Sequence, residues 1–235
     1  MKFKILTLFP EMFPGPINYS ILGKALKKKK FQLETINIRD FAINKAKTVD
    51  DTPFGGGAGM IMKPDILQNA LTFAKKEFKK NCTILSFSPS GKKITQEFIN
   101  KLVTSKEIIL ICGRYEGIDQ RFIDYNEIEE ISVGDYILSG GEIASFILID
   151  ACVRLIPEVL GNSESLRSES FYDHLLEYSQ YTKPSIWKKL MVPEVLLTGN
   201  HKKISEWRLN NSLEKTKNIR PDLYKLFLKE KKRKL

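Results

Sequence analysis

The stretch that most restricts what this chain can fold into is Ile131–Glu142, Ile-Ser-Val-Gly-Asp-Tyr-Ile-Leu-Ser-Gly-Gly-Glu. Apolar side chains alternate there with Gly134 and the pair Gly140 and Gly141. Such a composition lets backbone approach a ligand or another backbone where a Cβ would collide. Ser139 and Glu142 stand three apart, the spacing of a capping box, so a helix is predicted to begin here and to run through Ile143, Phe146, Ile147, Ala151 and Leu155. That helix is apolar on nearly every face. Its interior charges Asp150 and Arg154 are one turn apart, and charges inside a buried helix either pair with each other or serve chemistry.

The chain leading to this run alternates strands with helices. Phe3 to Phe9 reads as a buried strand ending at Pro10, and Ile17, Ile21, Leu22, Ala25 and Leu26 fall on one helical face. Phe31 to Ile38 is a second strand. Ile66, Leu67, Ala70, Ala74 and Phe78 mark a helix, Cys82 to Phe87 a strand closed by a turn at Ser88-Pro89-Ser90-Gly91, and Glu107 to Cys112 another strand. Between the last two, Thr95 is placed to cap a helix carrying Phe98 and Leu102. The alternation predicts an α/β fold, a parallel sheet with helices on both faces. Ligands in such sheets sit beyond the carboxyl ends of strands. Those ends here carry Ser88-Pro89, Gly113-Arg114-Tyr115-Glu116-Gly117-Ile118-Asp119 and the Gly134–Gly141 run, three loops able to converge on one pocket.

One long aperiodic segment precedes Pro64 and contains Asp50-Asp51-Thr52-Pro53-Phe54-Gly55-Gly56-Gly57-Ala58-Gly59-Met60. Loops of that length in a compact domain are usually functional or disordered. The glycines lack the Gly-Lys-Ser/Thr ending of a phosphate-binding loop and the third glycine of the dinucleotide fingerprint, so a nucleotide-phosphate site there is the less favoured reading.

Charge divides the chain. Of the net +10, residues 171–235 hold +8, from 15 basic and 7 acidic side chains. A basic lobe beside a near-neutral one points to a polyanion, nucleic acid ahead of membrane, since no basic amphipathic anchor stands out. The alternative is a solvated lysine-rich surface. Gly161–Ser170, Gly-Asn-Ser-Glu-Ser-Leu-Arg-Ser-Glu-Ser, reads as a linker, after which the periodicity is helical, through Ile204, Trp207 and Leu213 and then Leu223, Tyr224 and Phe227. Cys82, Cys112 and Cys152 lie in apolar runs without metal spacing and read as buried thiols of a reducing compartment; His174 and His201 are too isolated for a metal site. No apolar stretch reaches the length of a membrane span, so a cytoplasmic protein without a membrane partner is expected.

From Gly113 to Asp119 the chain resembles the bacterial tRNA (guanine-37-N1)-methyltransferases of the SPOUT class. The same family order continues in Phe9-Pro10-Glu11-Met12-Phe13, the Asp50–Met60 loop, Ser132–Glu142, Tyr181-Thr182-Lys183-Pro184, Val192-Pro193-Glu194-Val195-Leu196-Leu197, Gly199-Asn200-His201 and Trp207-Arg208. Each motif is weak alone; their joint order is specific and spans nearly the whole chain. The resemblance implies three parts. Residues 1–160 would form a knotted S-adenosylmethionine-binding domain with a trefoil knot, 161–170 an interdomain linker, and 171–235 a small helical, basic tRNA-binding domain. It places the cofactor against Ser88, Pro89, Gly113, Tyr115, Glu116, Val133, Gly134, Asp135, Tyr136, Ile137, Leu138, Gly140 and Gly141. It also implies methylation of N1 of guanosine 37 in the tRNA anticodon stem-loop, with Arg154 and Glu169 catalytic, in a homodimer whose site is shared between subunits.

The family has Asp-Ser-Phe where this chain has Glu169-Ser170-Phe171, a carboxylate of similar reference pKa that is one methylene longer. Ala144 replaces a usual proline, His174 a glycine, and Ser179 lies near a usual proline. Mg²⁺ is implied by the family, although no ligand set is visible in the sequence. A catalytically impaired RNA-binding relative, or an enzyme for another RNA position, would keep much of the same pattern.

Overall fold

The computed structural model describes residues 1–78, 82–160 and 169–233. The chain divides into two compact units, Met1–Gly161 and Asn162–Leu235.

In the first unit, β1 (Lys2–Thr7), β2 (Gln32–Asn37), β5 (Thr83–Lys93), β6 (Glu107–Ile111) and β7 (Glu129–Ser132) form one sheet in the order β2-β1-β6-β5-β7. Every pairing in it is parallel, with Phe3 opposite Leu33 and Ile108, and Leu85 opposite Leu110 and Glu129. The short strands β3 (Asp50–Asp51) and β4 (Ile61–Met62) pair antiparallel and bracket the glycine-rich loop. The helices are α1 (Ser20–Lys27), α2 (Pro64–Lys75), α3 (Gln96–Leu102), α4 (Gln120–Tyr125) and α5 (Gly141–Val153).

The period-two alternation of side chains explains why the sheet is covered twice. Phe3, Ile5, Ile108, Leu110 and Cys112 face one apolar cluster with Leu148, Ile149, Cys152 and Val153 of α5. Leu6, Ile109 and Ile111 face another with Leu67, Ala70, Leu71 and Ala74 of α2. Lys4 is the exception on the second face. It is buried, and its ammonium lies 2.9 Å from Glu77, 3.6 Å from Glu34 and over the Phe78 ring.

Local signals set several boundaries. Thr95 caps α3 by accepting the Phe98 amide at 3.2 Å, as its position predicts. Other expectations are corrected. The strand expected to close at Phe87 instead continues to Lys93 through a bulge, Phe87 and Lys92 both standing opposite Ile131. Ile17 is buried in a separate 3-10 turn, Gly15–Asn18, while Ile21 on α1 is exposed. Helix α5 starts at Gly141, and its N-cap Gly140 offers no side-chain cap. The capping box is therefore absent, because the Glu142 side chain turns into the interior. Asp150 is exposed rather than buried, so no desolvation cost forces it to pair with Arg154. Cys112 and Cys152 are buried thiols as expected, whereas Cys82 is only half-buried.

In the second unit, α6 (His201–Ile219) and α7 (Pro221–Arg233) pack on an irregular segment that begins at Glu169, and β8 (Ile186–Trp187) pairs antiparallel with β9 (Leu190–Met191). Backbone amides of that segment are held by α6 side chains: Leu176 donates to Thr216 Oγ1 at 2.8 Å and Ser179 to Asn211 Oδ1 at 2.7 Å. Among the described residues, no helix is long and apolar enough to cross a membrane.

Candidate functional site

Three loops meet above the carboxyl ends of β5, β6 and β7 and enclose a cavity of about 280 Å³. The first is the bulge of β5. Its Gly91 lies so close to β7 that an added Cβ would stand 2.6 Å from the carbonyl carbon of Glu130 and 2.7 Å from that of Ile131. Backbone contact of that kind admits only glycine, and Ser88 and Pro89 of the same bulge line the cavity.

The second loop, Gly113–Asp119, follows β6. Tyr115 holds a left-handed backbone, φ +60°, and Gly117 has φ +127°. The loop is tied to β4 by Met62 N to Gly117 O at 2.9 Å and Glu116 N to Met60 O at 3.0 Å. This joins the glycine-rich Asp51–Met60 segment to the cavity rim, and a Cβ on Gly59 would meet the Glu116 side chain.

The third loop follows β7. Gly134 has φ +155°, and the Tyr136 ring folds back over it with its hydroxyl donating to Val133 O at 3.2 Å. Ser132 Oγ accepts the Gly134 amide and donates to its carbonyl, fixing the turn. Gly141 then opens α5 with its amide on Gly113 O at 3.0 Å, and a Cβ there would lie 2.7 Å from Cys112 Cα. Two of the three loops thus meet backbone to backbone at Gly113 and Gly141.

Of the residues singled out from the sequence, Ser88, Pro89, Gly113, Tyr115, Glu116, Val133, Gly134, Tyr136, Ile137, Leu138, Gly140 and Gly141 line this cavity. Asp135 is not among its lining residues; its carboxylate points outward to Lys93 at 3.0 Å. Arg154 is half-buried at the C-cap of α5, its amide on Asp150 O at 3.2 Å. Glu169 is half-buried in the second unit, where its carbonyl accepts the Tyr172 amide and its neighbour Ser170 accepts the Glu177 amide through Oγ. Phe171, Asp173 and His174 all have positive φ, a tight turn directly after it. The greater part of the expected linker, 161–168, lies outside the described residues.

Two features of the cavity wall carry no signal in the sequence. Arg114 lines the cavity but sits unmarked inside a motif whose glycines and tyrosine stand out, and the Glu142 carboxylate, placed like a cap, is buried beside it. The cavity lining combines backbone amides and carbonyls, apolar walls from Ile118, Ile137 and Leu138, the Arg114 guanidinium and the carboxylates of Glu116 and Glu130, a mixture suited to a small, partly apolar ligand. Among the described residues, no group of three His, Cys, Asp or Glu is placed to hold a metal ion.

The second unit has a concave surface of about 330 Å³ lined by Tyr178, Tyr181, Lys183, Leu196 and Arg208. The Arg208 guanidinium lies 4.8 Å from the Tyr178 ring centre, and the Tyr181 and Trp207 rings are 6.2 Å apart.

Comparison with known proteins agrees with this geometry. The family model for tRNA (Guanine-1)-methyltransferase TrmD matches residues 1–226. A tRNA (guanine-N(1)-)-methyltransferase of Neorickettsia sennetsu is 52% identical over 223 residues, covering 95% of this chain and 98% of the relative. Proteins of the same description from Pelagibacter ubique and Ehrlichia canis are 51% and 50% identical, covering 96% and 95% of this chain and 98% and 95% of those relatives. With the match running through all three cavity loops and into the C-terminal unit, the chain belongs to the tRNA (guanine-1)-methyltransferase family.

Proposed function

We propose that this chain transfers a methyl group from S-adenosylmethionine to N1 of guanosine 37 in the tRNA anticodon stem-loop, in the cytoplasm, as a homodimer whose site is completed across subunits. The observation that carries the reading is the convergence of the three glycine-bearing loops on one cavity in a chain of this family. The donor supplies, when bound, a methyl carbon made electrophilic by its sulfonium.

The remaining chemistry falls to side chains. Guanine N1 carries a proton and cannot attack carbon until that proton leaves, so a base must lie within hydrogen-bond reach. Glu169 is assigned that proton. As it departs, negative charge grows on O6, and Arg154 is assigned to stabilise it. One methylene more than the family's aspartate shifts where the Glu169 carboxylate can stand, and the adjoining turn at Phe171–His174 sets that reach.

A trefoil knot in the first unit is part of the same proposal. Supporting it are the crossed strand order and the backbone-to-backbone approaches at Gly91 and Gly141. The dimer draws support from α5, where Ile143 and Ile147 are 45% and 46% exposed on the face that also carries Asp150. Apolar side chains in that register on a single chain suit a self-complementary contact. The tRNA partner draws support from the +8 of residues 171–235 and from the stacked Arg208 and Tyr178. Mg²⁺ stays as the resemblance implies it, with no ligand assigned among the described residues and no step routed through it.

The test is incubation of the purified protein with S-adenosylmethionine and an unmodified tRNA transcript, followed by nuclease mapping and mass measurement. One methyl on guanosine 37 is expected. An unmodified transcript, or a methyl elsewhere, overturns the assignment.

A further inference from the structure

Beneath the cavity wall, Arg114 joins three parts of the chain that are remote in sequence. Its Nη1 donates to Ser139 O at 3.0 Å, its Nη2 lies 2.9 Å from Glu142 Oε2, and its guanidinium sits 4.4 Å from the centre of the Phe9 ring. The Glu142 side chain is 1% exposed and accepts the Thr7 hydroxyl at 2.7 Å through its other oxygen. Thr7 Oγ1 in turn accepts the Phe9 amide at 3.0 Å. The end of β1, the Gly113–Asp119 loop and the start of α5 are thus held through one buried carboxylate.

A buried carboxylate is costly even when paired, and the start of α5 could be closed by smaller neutral residues. Gly140 shows how much the chain yields to this pair. Its φ of 172° is ordinary extended backbone, yet a Cβ there would stand 2.5 Å from Arg114 Cδ and 2.7 Å from Cζ. The glycine therefore answers to Arg114. The pair is close but imperfectly aligned, since Arg114 Nε and Glu142 Oε2 lack hydrogen bonds of good geometry. A small shift of the Ser139 segment, which Arg114 grips by its carbonyl, would change that alignment.

We propose that Thr7, Glu142 and Arg114 are positioning residues that set the height of the Val133–Ser139 loop over the cavity, and so govern how tightly the methyl donor is held. Resting on the methyltransferase reading above, the proposal assigns them donor binding and no part in moving the guanine proton. Glu142 acts through Arg114, and Thr7 through Glu142.

The experiment measures binding of S-adenosylmethionine and S-adenosylhomocysteine by calorimetry without tRNA, and separately the single-turnover rate with transcript at saturating donor. Glu142→Gln keeps the shape but loses the charge, and is expected to weaken both ligands by about ten- to a hundredfold, the scale of a lost charge-assisted hydrogen bond. Its rate at saturation should stay within about threefold of the parent, because the loss lies in ground-state binding. Thr7→Val should weaken binding by about three- to tenfold, and Thr7→Ser should restore it. If Glu142→Gln fails to fold, judged by circular dichroism, the Thr7 pair decides. Folded variants that bind both ligands like the parent overturn the proposal, as does a saturated rate that falls while affinity holds. A parent protein that binds donor yet leaves tRNA unmethylated sinks the functional reading and spares this one.

Discussion

At the scale of single residues, the proposed chemistry turns on Glu169, and the structure turns on small residues that cannot be enlarged. A general base contributes on the order of 10²–10⁴ in rate. Glu169→Gln should therefore slow single-turnover methylation by about that factor while calorimetric donor affinity stays unchanged, and an unaltered rate would place the base elsewhere. Gly91 makes a different demand. Because its missing Cβ would meet the backbone of Glu130 and Ile131 and not a flexible side-chain tip, Gly91→Ala must push β5 and β7 apart. A loss of about 2 kcal/mol or more in denaturant unfolding is expected. Both residues were visible in the sequence, Glu169 through the resemblance and Gly91 as part of a turn. What Gly91 touches was not visible, since nothing in Ser-Pro-Ser-Gly says that a neighbouring strand passes against it.

At the scale of elements, the strands were the most legible part of the chain. Ile108 to Ile111 and Phe3 to Leu6 lie in the interior because both faces of the sheet are covered, and in a chain of alternating strands and helices a short run with apolar side chains at odd and even positions alike marks a central strand. Helix ends were less legible. Thr95 caps α3 as its position suggests, and Thr95→Ala should cost about 1 kcal/mol, read as a lowered unfolding midpoint with an unchanged denaturant slope. The equally plausible box at Ser139 and Glu142 does not form. Thr95 lies in a solvent-facing loop where the nearest amide is its best partner, whereas Glu142 lies within reach of Arg114 and Thr7, both supplied by the ends of other strands. A half-buried guanidinium facing a buried carboxylate outcompetes a local amide for it.

For the whole molecule, α5 shows where a single chain stops accounting for its own surface. A helix apolar all round reads as fully buried, yet Ile143, Ile147 and Asp150 face outward. If a second copy covers that face, Ile147→Lys should shift the protein to monomer in sedimentation equilibrium and abolish methylation together; a monomeric parent would remove the premise. The buried thiols give a pH dependence. Burial raises the Cys152 pKa from 9.0 to about 12 and holds Cys112 well above 9.0. A raised folded-state pKa means that stability is intact below pH 9.0, where the thiol is neutral in both states, and is lost as pH rises from 9.0 toward about 12, where only the unfolded chain ionises freely. Cys152→Ala should flatten that part of the alkaline decline relative to the parent, measured by denaturant midpoints at a series of pH values.

The sequence by itself determined the alternation of strands and helices, the two-faced sheet, the basic C-terminal segment and the glycines that would crowd the strand ends, because each is written in local composition and short-range period. Only the tertiary structure decided that Arg114 pairs with the buried carboxylate of Glu142, that β5 runs on past its bulge, and that one face of α5 lies open. Those outcomes depend on which distant groups arrive beside one another, and no local pattern encodes the distance between Thr7, Arg114 and Glu142.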